Sequence, residues 1–352
     1  MKQPRAARRR AIAYTDVIMV SLSVVVPVYH NQETLPELHR RLTATCCAIV
    51  PDAYELIFVN DGSGDRSWEL LCHIGSIDPH VRAISLSRNF GSQAAILAGL
   101  ARATGDRVAV IAADLQEPPE LISGLYKACD AGAEIALASR STRGDPWTTK
   151  QFARIFYALL RRFALPEMPV GGFDCFVASR RVGQLLLDHA RPNVYLPGEL
   201  LWLGFPRTVI PYDRLARPAG TSMWTFWKKF RFLVDSFVAF SYTPIRITST
   251  LGLSFAIAGF LYAIVILSLR ITSGFPVEGW ASLAVIVLIL GGVQLIVLGT
   301  LGEYVWRTLD TGRNRPLYIV NKVINPVPAT EQAVGITRAV GTTPLSVPSR
   351  LQ

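Results

Sequence analysis

The chain has 352 residues, half of them hydrophobic, with a net charge of +10 and a mean hydropathy of +0.31. That charge selects anionic partners such as lipid headgroups or nucleotide phosphates, and no helix-turn-helix, zinc-finger or RNP pattern accompanies it, which argues against nucleic acid. The five cysteines (Cys46, Cys47, Cys72, Cys129 and Cys175) form no C-x-x-C pair, so neither a disulfide framework nor a zinc site is expected, and a reduced cytoplasmic domain is.

Residues 1–21 read as a basic flexible tail carrying Arg5, Arg8, Arg9 and Arg10. Asp16, Ser21 and Pro27 interrupt the apolar stretch that follows, and no A-x-A site is near, so a signal peptide is not expected. Residues 22–28 (LSVVVPV) form a β-branched run without alternation, which predicts a strand buried on both faces. A helix is expected over 33–49, with Asn31 available as its cap. A second strand (54–59) stops at Asn60-Asp61-Gly62-Ser63. A helix from Ser67 to about Ile77, a third strand (81–86), a small-residue helix (92–103) and a fourth strand (107–113) follow. A helix opening at Pro118-Pro119, where a missing N–H does no harm, and a fifth strand (134–138) complete the pattern.

Alternating strands and helices with short loops predict an α/β fold with a mainly parallel sheet. Ligands of such sheets bind beyond the carboxyl ends of the strands, where Tyr29, Asp61, Arg88-Asn89 and Asp114 fall. No G-x-G-x-x-G follows the first strand, so a dinucleotide-binding oxidoreductase is discounted.

The pattern changes after residue 223. Residues 224–244 place aromatic and aliphatic side chains at helical spacing among Lys228, Lys229, Arg231 and Asp235, as an amphipathic interface helix would. Residues 245–305 then hold two uncharged apolar spans, 247–269 and 280–302, each of a length that crosses a ~30 Å hydrocarbon core. Positive charge is heavier outside the pair than in its short connecting loop, which predicts a multi-pass protein of the cytoplasmic membrane with both termini and the 22–223 domain in the cytoplasm. Residues 306–324 are a cytoplasmic return segment, and 325–352, rich in Pro, Thr, Ala and Ser, read as disordered.

One ordered set of motifs carries the chemistry: Val25-Val26-Pro27-Val28-Tyr29-His30-Asn31, Val59-Asn60-Asp61-Gly62-Ser63, Ser87-Arg88-Asn89-Phe90-Gly91, and Ala113-Asp114-Leu115-Gln116 before Pro118-Pro119. With Gly172-Phe173-Asp174, Trp202-Leu203-Gly204-Phe205 and Gly302-Glu303-Tyr304, the chain over roughly 22–322 resembles the family 2 glycosyltransferases of the GT-A fold. Within them it is similar to the polyprenyl-phosphate (dolichol- or undecaprenyl-phosphate) glycosyltransferases.

The resemblance implies roles position by position. Pro27, Tyr29 and Asp61 would contact the base and ribose of a nucleotide-sugar donor, with Asp114 beside them. The family's metal motif is D-x-D-x-Q. Here its first carboxylate is replaced by Ala112, which leaves Asp114 and Gln116 for Mg²⁺ or Mn²⁺, an ion that can take most of its ligands from the donor's phosphates. Arg140, Arg143, Lys150, Arg217 and Ser222 would receive the lipid phosphate, because guanidinium forks match phosphate oxygens. Met223 stands where the family often has Lys, and Phe176 where Arg is common. Asp114, Asp174, Arg140 and Arg143 form the expected catalytic group, with Asp174 either orienting groups or acting as a base.

The expected reaction is an inverting transfer of a sugar, from a UDP-sugar or GDP-mannose, to a polyprenyl phosphate at the cytoplasmic membrane face. Two other readings stand beside it. One is a hydroxyl-directed or polysaccharide-forming enzyme, although no Q-x-x-R-W segment is present. The other is a non-catalytic membrane scaffold. The family also suggests homo-oligomeric assemblies.

Overall fold

A computed structural model describes residues 20–142, 154, 157–191, 195–215, 243–273, 279–313 and 315–325. In chain order the elements are β1 (Leu22–Val28), α1 (Leu35–Ile49), β2 (Tyr54–Asn60), α2 (Ser67–Ile77), β3 (Val81–Leu86), α3 (Ser92–Leu100), β4 (Arg107–Val110), α4 (Leu121–Asp130) and β5 (Ile135–Thr142). Then come β6 (Phe173–Ser179), α5 (Arg180–Asp188), α6 (Leu196–Trp202), β7 (Arg207–Asp213), α7 (Thr243–Ser273), α8 (Trp280–Gly312) and β8 (Val320–Ile324).

The strands form one sheet of order β7-β5-β6-β4-β1-β2-β3-β8. The expected parallel core is its centre: β1 pairs in parallel with β2 (Leu22↔Tyr54 to Val28↔Asn60) and with β4, and β2 with β3. Successive side chains of a strand point to opposite faces, and both faces are covered. Val24, Val26, Val28, Leu56 and Phe58 pack with α1, α2 and α4. Val25, Ile57, Val59 and Ile84 pack with α3, α5 and α6 on the other face. The runs without alternation are therefore strands with no wet side.

Three local expectations are corrected. β4 ends at Val110, not at 113, because after the Ile111 N–H bonds to Val25 O (3.2 Å) the chain turns, and Leu115 takes a left-handed φ of 57°. α4 begins at Leu121, and Pro118-Pro119 form the turn before it, their carbonyls accepting from Leu121 N (3.0 Å) and Ile122 N (3.1 Å). Asn31 is not the cap of α1. Thr34 occupies that position, and the Asn31 side chain instead accepts from Tyr29 N (2.9 Å).

Three strands were not anticipated. β6 enters antiparallel between β4 and β5, β7 runs parallel to β5 at one edge, and β8 pairs antiparallel with β3 at the other. β8 lies in the expected return segment. The chain that follows the two apolar helices thus becomes part of the same sheet as β1–β7. Asn325 fixes the join, its Nδ2 donating to Gly75 O (2.7 Å) and Val81 O (3.0 Å).

α7 and α8 contain stretches long and apolar enough to cross a membrane, Ile245–Leu269 and Val285–Gly312, with mean hydropathies of 2.2 and 2.4. At 1.5 Å per residue the 33 residues of α8 span ~50 Å, more than the ~30 Å of a hydrocarbon core. The helix is therefore longer than the core is thick, and near its carboxyl end Arg307 pairs with Glu303 (2.9 Å) one turn earlier. The amphipathic region, apart from the start of α7, and nearly all of both tails lie outside the described residues.

Candidate active site

Four loops meet at the carboxyl ends of the parallel strands. The loop after β1 is laced to the loop after β2: His30 N donates to Ser63 Oγ (3.1 Å), Asn31 N to Ser67 Oγ (3.1 Å) and Gln32 N to Asp65 Oδ2 (3.3 Å). The loop after β2 is pressed on the loop after β3. Gly62 has φ +65°, and a Cβ there would stand 2.5 Å from Arg88 C and 2.6 Å from Asn89 N, so only glycine fits this approach. The loop after β4 joins through Thr34 Oγ1, which donates to Ala113 O (2.6 Å). His30 (φ 55°) and Leu115 (φ 57°) are non-glycine residues in the left-handed region, and both sit at this convergence. Such conformations persist where surrounding packing imposes them.

Within this frame Pro27, Tyr29 and Asp114 are half-buried, and the Tyr29 ring stands edge-on to His30 with centroids 4.4 Å apart. Asp114 Oδ1 accepts from Gln116 N (3.2 Å). Asp61, from which a base or ribose contact was expected, is tied into the frame. It is buried, and its Oδ1 and Oδ2 accept from the N–H groups of Phe90 (2.7 Å) and Gly91 (2.9 Å). Burial raises its carboxyl above the ordinary aspartate value, and the two N–H donors offset only part of that. Asp61 therefore holds the 88–91 loop, on which the Arg88 guanidinium lies 4.0 Å from the Phe90 ring centroid.

A second group of charges lies beside the β4 loop, built from strands β5, β6 and β7. Arg140 of β5 is almost wholly buried and ion-paired with Asp174 of β6, whose side chain is 51% exposed. Gly171 lets its segment close onto the Arg140 backbone, because a Cβ there would collide with the Arg140 carbonyl. Glu117, 1% exposed, sits behind it. Its Oε1 accepts from the Tyr212 hydroxyl (3.1 Å) and lies 3.7 Å from Arg140 Nη2 and 4.0 Å from Arg214 Nε. Burial pushes the Glu117 carboxyl above its usual range, opposed by the two guanidiniums. Burial alone would lower the Arg140 pKa, but Tyr157, Glu117 and Tyr212 more than offset it and hold the guanidinium charged.

Gln116 was expected to hold a metal ion. In the structure its Oε1 accepts from Arg214 Nη2 (2.6 Å), and its carbonyl from Leu215 N (3.1 Å). The structure thus brings together Pro27, Tyr29, Asp61, Asp114, Gln116, Arg140 and Asp174. Arg143, Lys150, Arg217 and Ser222 lie outside the described residues. Phe176, where arginine was noted as common, is a buried core residue of β6. Sequence reasoning missed Glu117, Tyr212 and Arg214, which lie close to or among quoted motif residues but are joined only through the edge strands.

Residues 23–185 match the model of the family described as glycosyl transferase family 2. The chain is 38% identical over 304 residues to an uncharacterized glycosyltransferase, YkcC, of Bacillus subtilis, covering 86% of this chain and 94% of that protein. It belongs to glycosyltransferase family 2. This family 2 enzyme is also 36% identical over 304 residues to the bactoprenol glucosyl transferase of Shigella phage SfII (86% and 98% covered). Among solved structures, glucosyl-3-phosphoglycerate synthase from Mycobacterium tuberculosis in complex with uridine diphosphate aligns with a TM-score of 0.47 at 21% identity, covering 62% of this chain and 79% of that one. By its family match and the relatives that cover it, the chain is a transferase, with a mixed sheet followed by two apolar helices that are candidate membrane spans.

Proposed function

We propose that this glycosyltransferase moves a sugar from a nucleoside-diphosphate donor to a polyprenyl phosphate at the cytoplasmic face of the membrane. The observation that carries the reading is β8. A strand that follows two apolar helices is hydrogen-bonded into the same sheet as β4, the central strand after which Asp114 lies, so the segment that follows the apolar helices and the transfer site belong to one folded unit. The pairing also supports the sidedness. With β1–β7 before the helices and β8 after them in one sheet, the chain crosses the bilayer an even number of times, as two spans do. The positive residues outside the pair favour the cytoplasmic side. The likeness to proteins named bactoprenol glucosyl transferases supports a polyprenyl acceptor and a glucosyl donor.

The donor's base and ribose would lie against Pro27 and Tyr29, with Asp61 acting from beneath by fixing the 88–91 loop. Among the described residues no three His, Cys, Asp or Glu side chains are grouped to hold a metal ion. The single half-buried carboxylate of Asp114 fits a hard cation of the Mg²⁺ or Mn²⁺ kind, which is held by one or two protein ligands and otherwise by phosphate oxygens and water. When bound, such an ion neutralises charge on the departing nucleoside diphosphate.

The acceptor needs no strong base. A phosphomonoester has a second pKa near ~6 and is mostly dianionic at neutral pH. One of its oxygens attacks the anomeric carbon in line, the bond from that carbon to the diphosphate breaks, and the nucleoside diphosphate leaves with the electron pair, inverting the centre. Arg140 supplies positive charge for the incoming phosphate, and Asp174 orients it. Arg143, Lys150, Arg217 and Ser222 complete the phosphate site in this proposal.

The test is membranes bearing the full chain, incubated with labelled UDP-sugars and GDP-mannose and with undecaprenyl phosphate. Chloroform-extractable label is expected with the wild type and a loss of at least ~100-fold with Asp114→Ala. Undiminished transfer by that variant contradicts the site, and label in polymer favours a polysaccharide-forming enzyme.

A further inference from the structure

Glu117 is the most deeply buried carboxylate near the site, and nothing in the transfer just described uses it. It sits three residues beyond Asp114, on the loop that the donor would meet, yet its hydrogen bond and ion pairs reach residues of β5, β7 and the segment after β7. Tyr212 of β7 donates to its Oε1 (3.1 Å), Arg140 of β5 stands at 3.7 Å and Arg214 at 4.0 Å. Its Oε2 is buried and accepts no hydrogen bond among the described residues. Arg214 donates its Nη2 to Gln116 (2.6 Å), and the Arg140 Nη2 that stands near Glu117 is the same atom that is ion-paired with Asp174. One carboxylate therefore lies between two guanidiniums, one fixing the loop that carries Asp114 and the other facing the half-exposed Asp174.

Two guanidiniums at this separation repel unless a negative charge lies between them, and burial strengthens both effects. A buried ionic group is costly, and its best-attested use is to impose one arrangement on its neighbours. We infer that Glu117 is a positioning residue for the acceptor side: held by Tyr212, it is the counter-charge that sets the Arg140 guanidinium against Asp174 for a phosphomonoester, while keeping Arg214 on the donor loop. It touches neither substrate and acts through Arg140. The inference rests on the proposed transfer to a lipid phosphate.

The experiment is steady-state kinetics of the full chain in nanodiscs, with undecaprenyl phosphate and the nucleotide sugar varied separately, on Glu117→Gln, Tyr212→Phe, Arg140→Lys and the double variants. Glu117→Gln keeps the shape and an acceptor for Tyr212 but removes the charge. It should raise KM for undecaprenyl phosphate about tenfold and leave KM for the donor within about threefold. Tyr212→Phe should move the same constant in the same direction by about threefold. In the Arg140→Lys background either change should cost less than about twofold, because the group it acts through is already altered. Equal effects on both substrates, or effects that multiply independently of Arg140→Lys, would assign Glu117 to general stability and overturn the inference. If Glu117→Gln does not fold, the Tyr212→Phe and Arg140→Lys cycle decides on the same criterion. Wild-type enzyme that yields no lipid product with any donor sinks the transfer reading and this inference with it. An active wild type whose lipid KM ignores both substitutions sinks this inference alone.

Discussion

Replacing Asp61 with alanine tests whether this carboxylate is a piece of the frame or a substrate contact. Asp61 is 2% exposed and receives two backbone N–H bonds, at 2.7 and 2.9 Å, from Phe90 and Gly91. A hydrogen bond to a charged group contributes about 1.5–3 kcal/mol, and removing the acceptor leaves two donors without a partner. Partial re-solvation of the 88–91 loop returns some of this, so a net loss of ~3 kcal/mol is expected. For a domain of this size each kcal/mol shifts the midpoint by ~2–4 °C, which predicts a Tm lower by ~6–12 °C. The assay is thermal unfolding of the full chain in nanodiscs, read by tryptophan fluorescence. Asp61→Asn retains one acceptor oxygen but turns an NH₂ toward the second donor, so it should fall between the wild type and the alanine variant. An alanine variant that melts within about 2 °C of the wild type would refute the frame role.

Other consequences follow from contacts away from the strand ends. Burial alone would raise the Asp78 carboxyl, but hydrogen bonds from His39 and from the His80 N–H more than offset it and hold the group below its ordinary value. Its folded pKa is thus below the unfolded one, so the stability it contributes is present above about pH 4 and is lost as pH falls through the folded value. His39→Ala should flatten that acid limb in unfolding midpoints measured from about pH 6 down to 3, and an unchanged limb contradicts the assignment. Asn325→Ala removes two bonds that pin β8 to Gly75 and Val81, and it should cost about 1–2 kcal/mol and speed hydrogen exchange in 320–324. Unaltered exchange there would show that β8 pairing does not depend on this side chain.

How much of the fold was legible follows from burial. β1, β2 and β3 are covered on both faces, so their sequences are mainly apolar without alternation, and their bounds were readable to within a residue. β7 is an edge strand with Pro211 inside it and mostly exposed positions, and β8 has only five residues, so neither carries a comparable signal. β6 is apolar enough to read as a strand, but its place between β4 and β5 is decided by pairing that no local pattern encodes.

The site divides the same way. Asp114 was identifiable because a carboxylate closing a parallel strand before a helix is a local motif. Asp61 was found by that same signal, but its tie to the 88–91 loop was not. Its partners Phe90 and Gly91 lie about thirty residues away across a loop whose approach depends on Gly62. The bond from Arg214 to the Gln116 side-chain oxygen was not readable, because Arg214 lies 98 residues further along. Glu117 drew no role for the same reason: Tyr212, which fixes it, arrives only through an unanticipated strand.

The most direct test of the account is the identity of the product. Wild-type membranes supplied with undecaprenyl phosphate and the productive nucleotide sugar should yield a chloroform-soluble lipid whose mass exceeds that of the acceptor by one dehydrated monosaccharide. Mild acid should return the free sugar and the intact lipid monophosphate, as a glycosyl phosphodiester requires. A product in which the sugar sits on a hydroxyl group or grows into a polymer, or a lipid of unchanged mass with every donor, would contradict transfer to the prenyl phosphate.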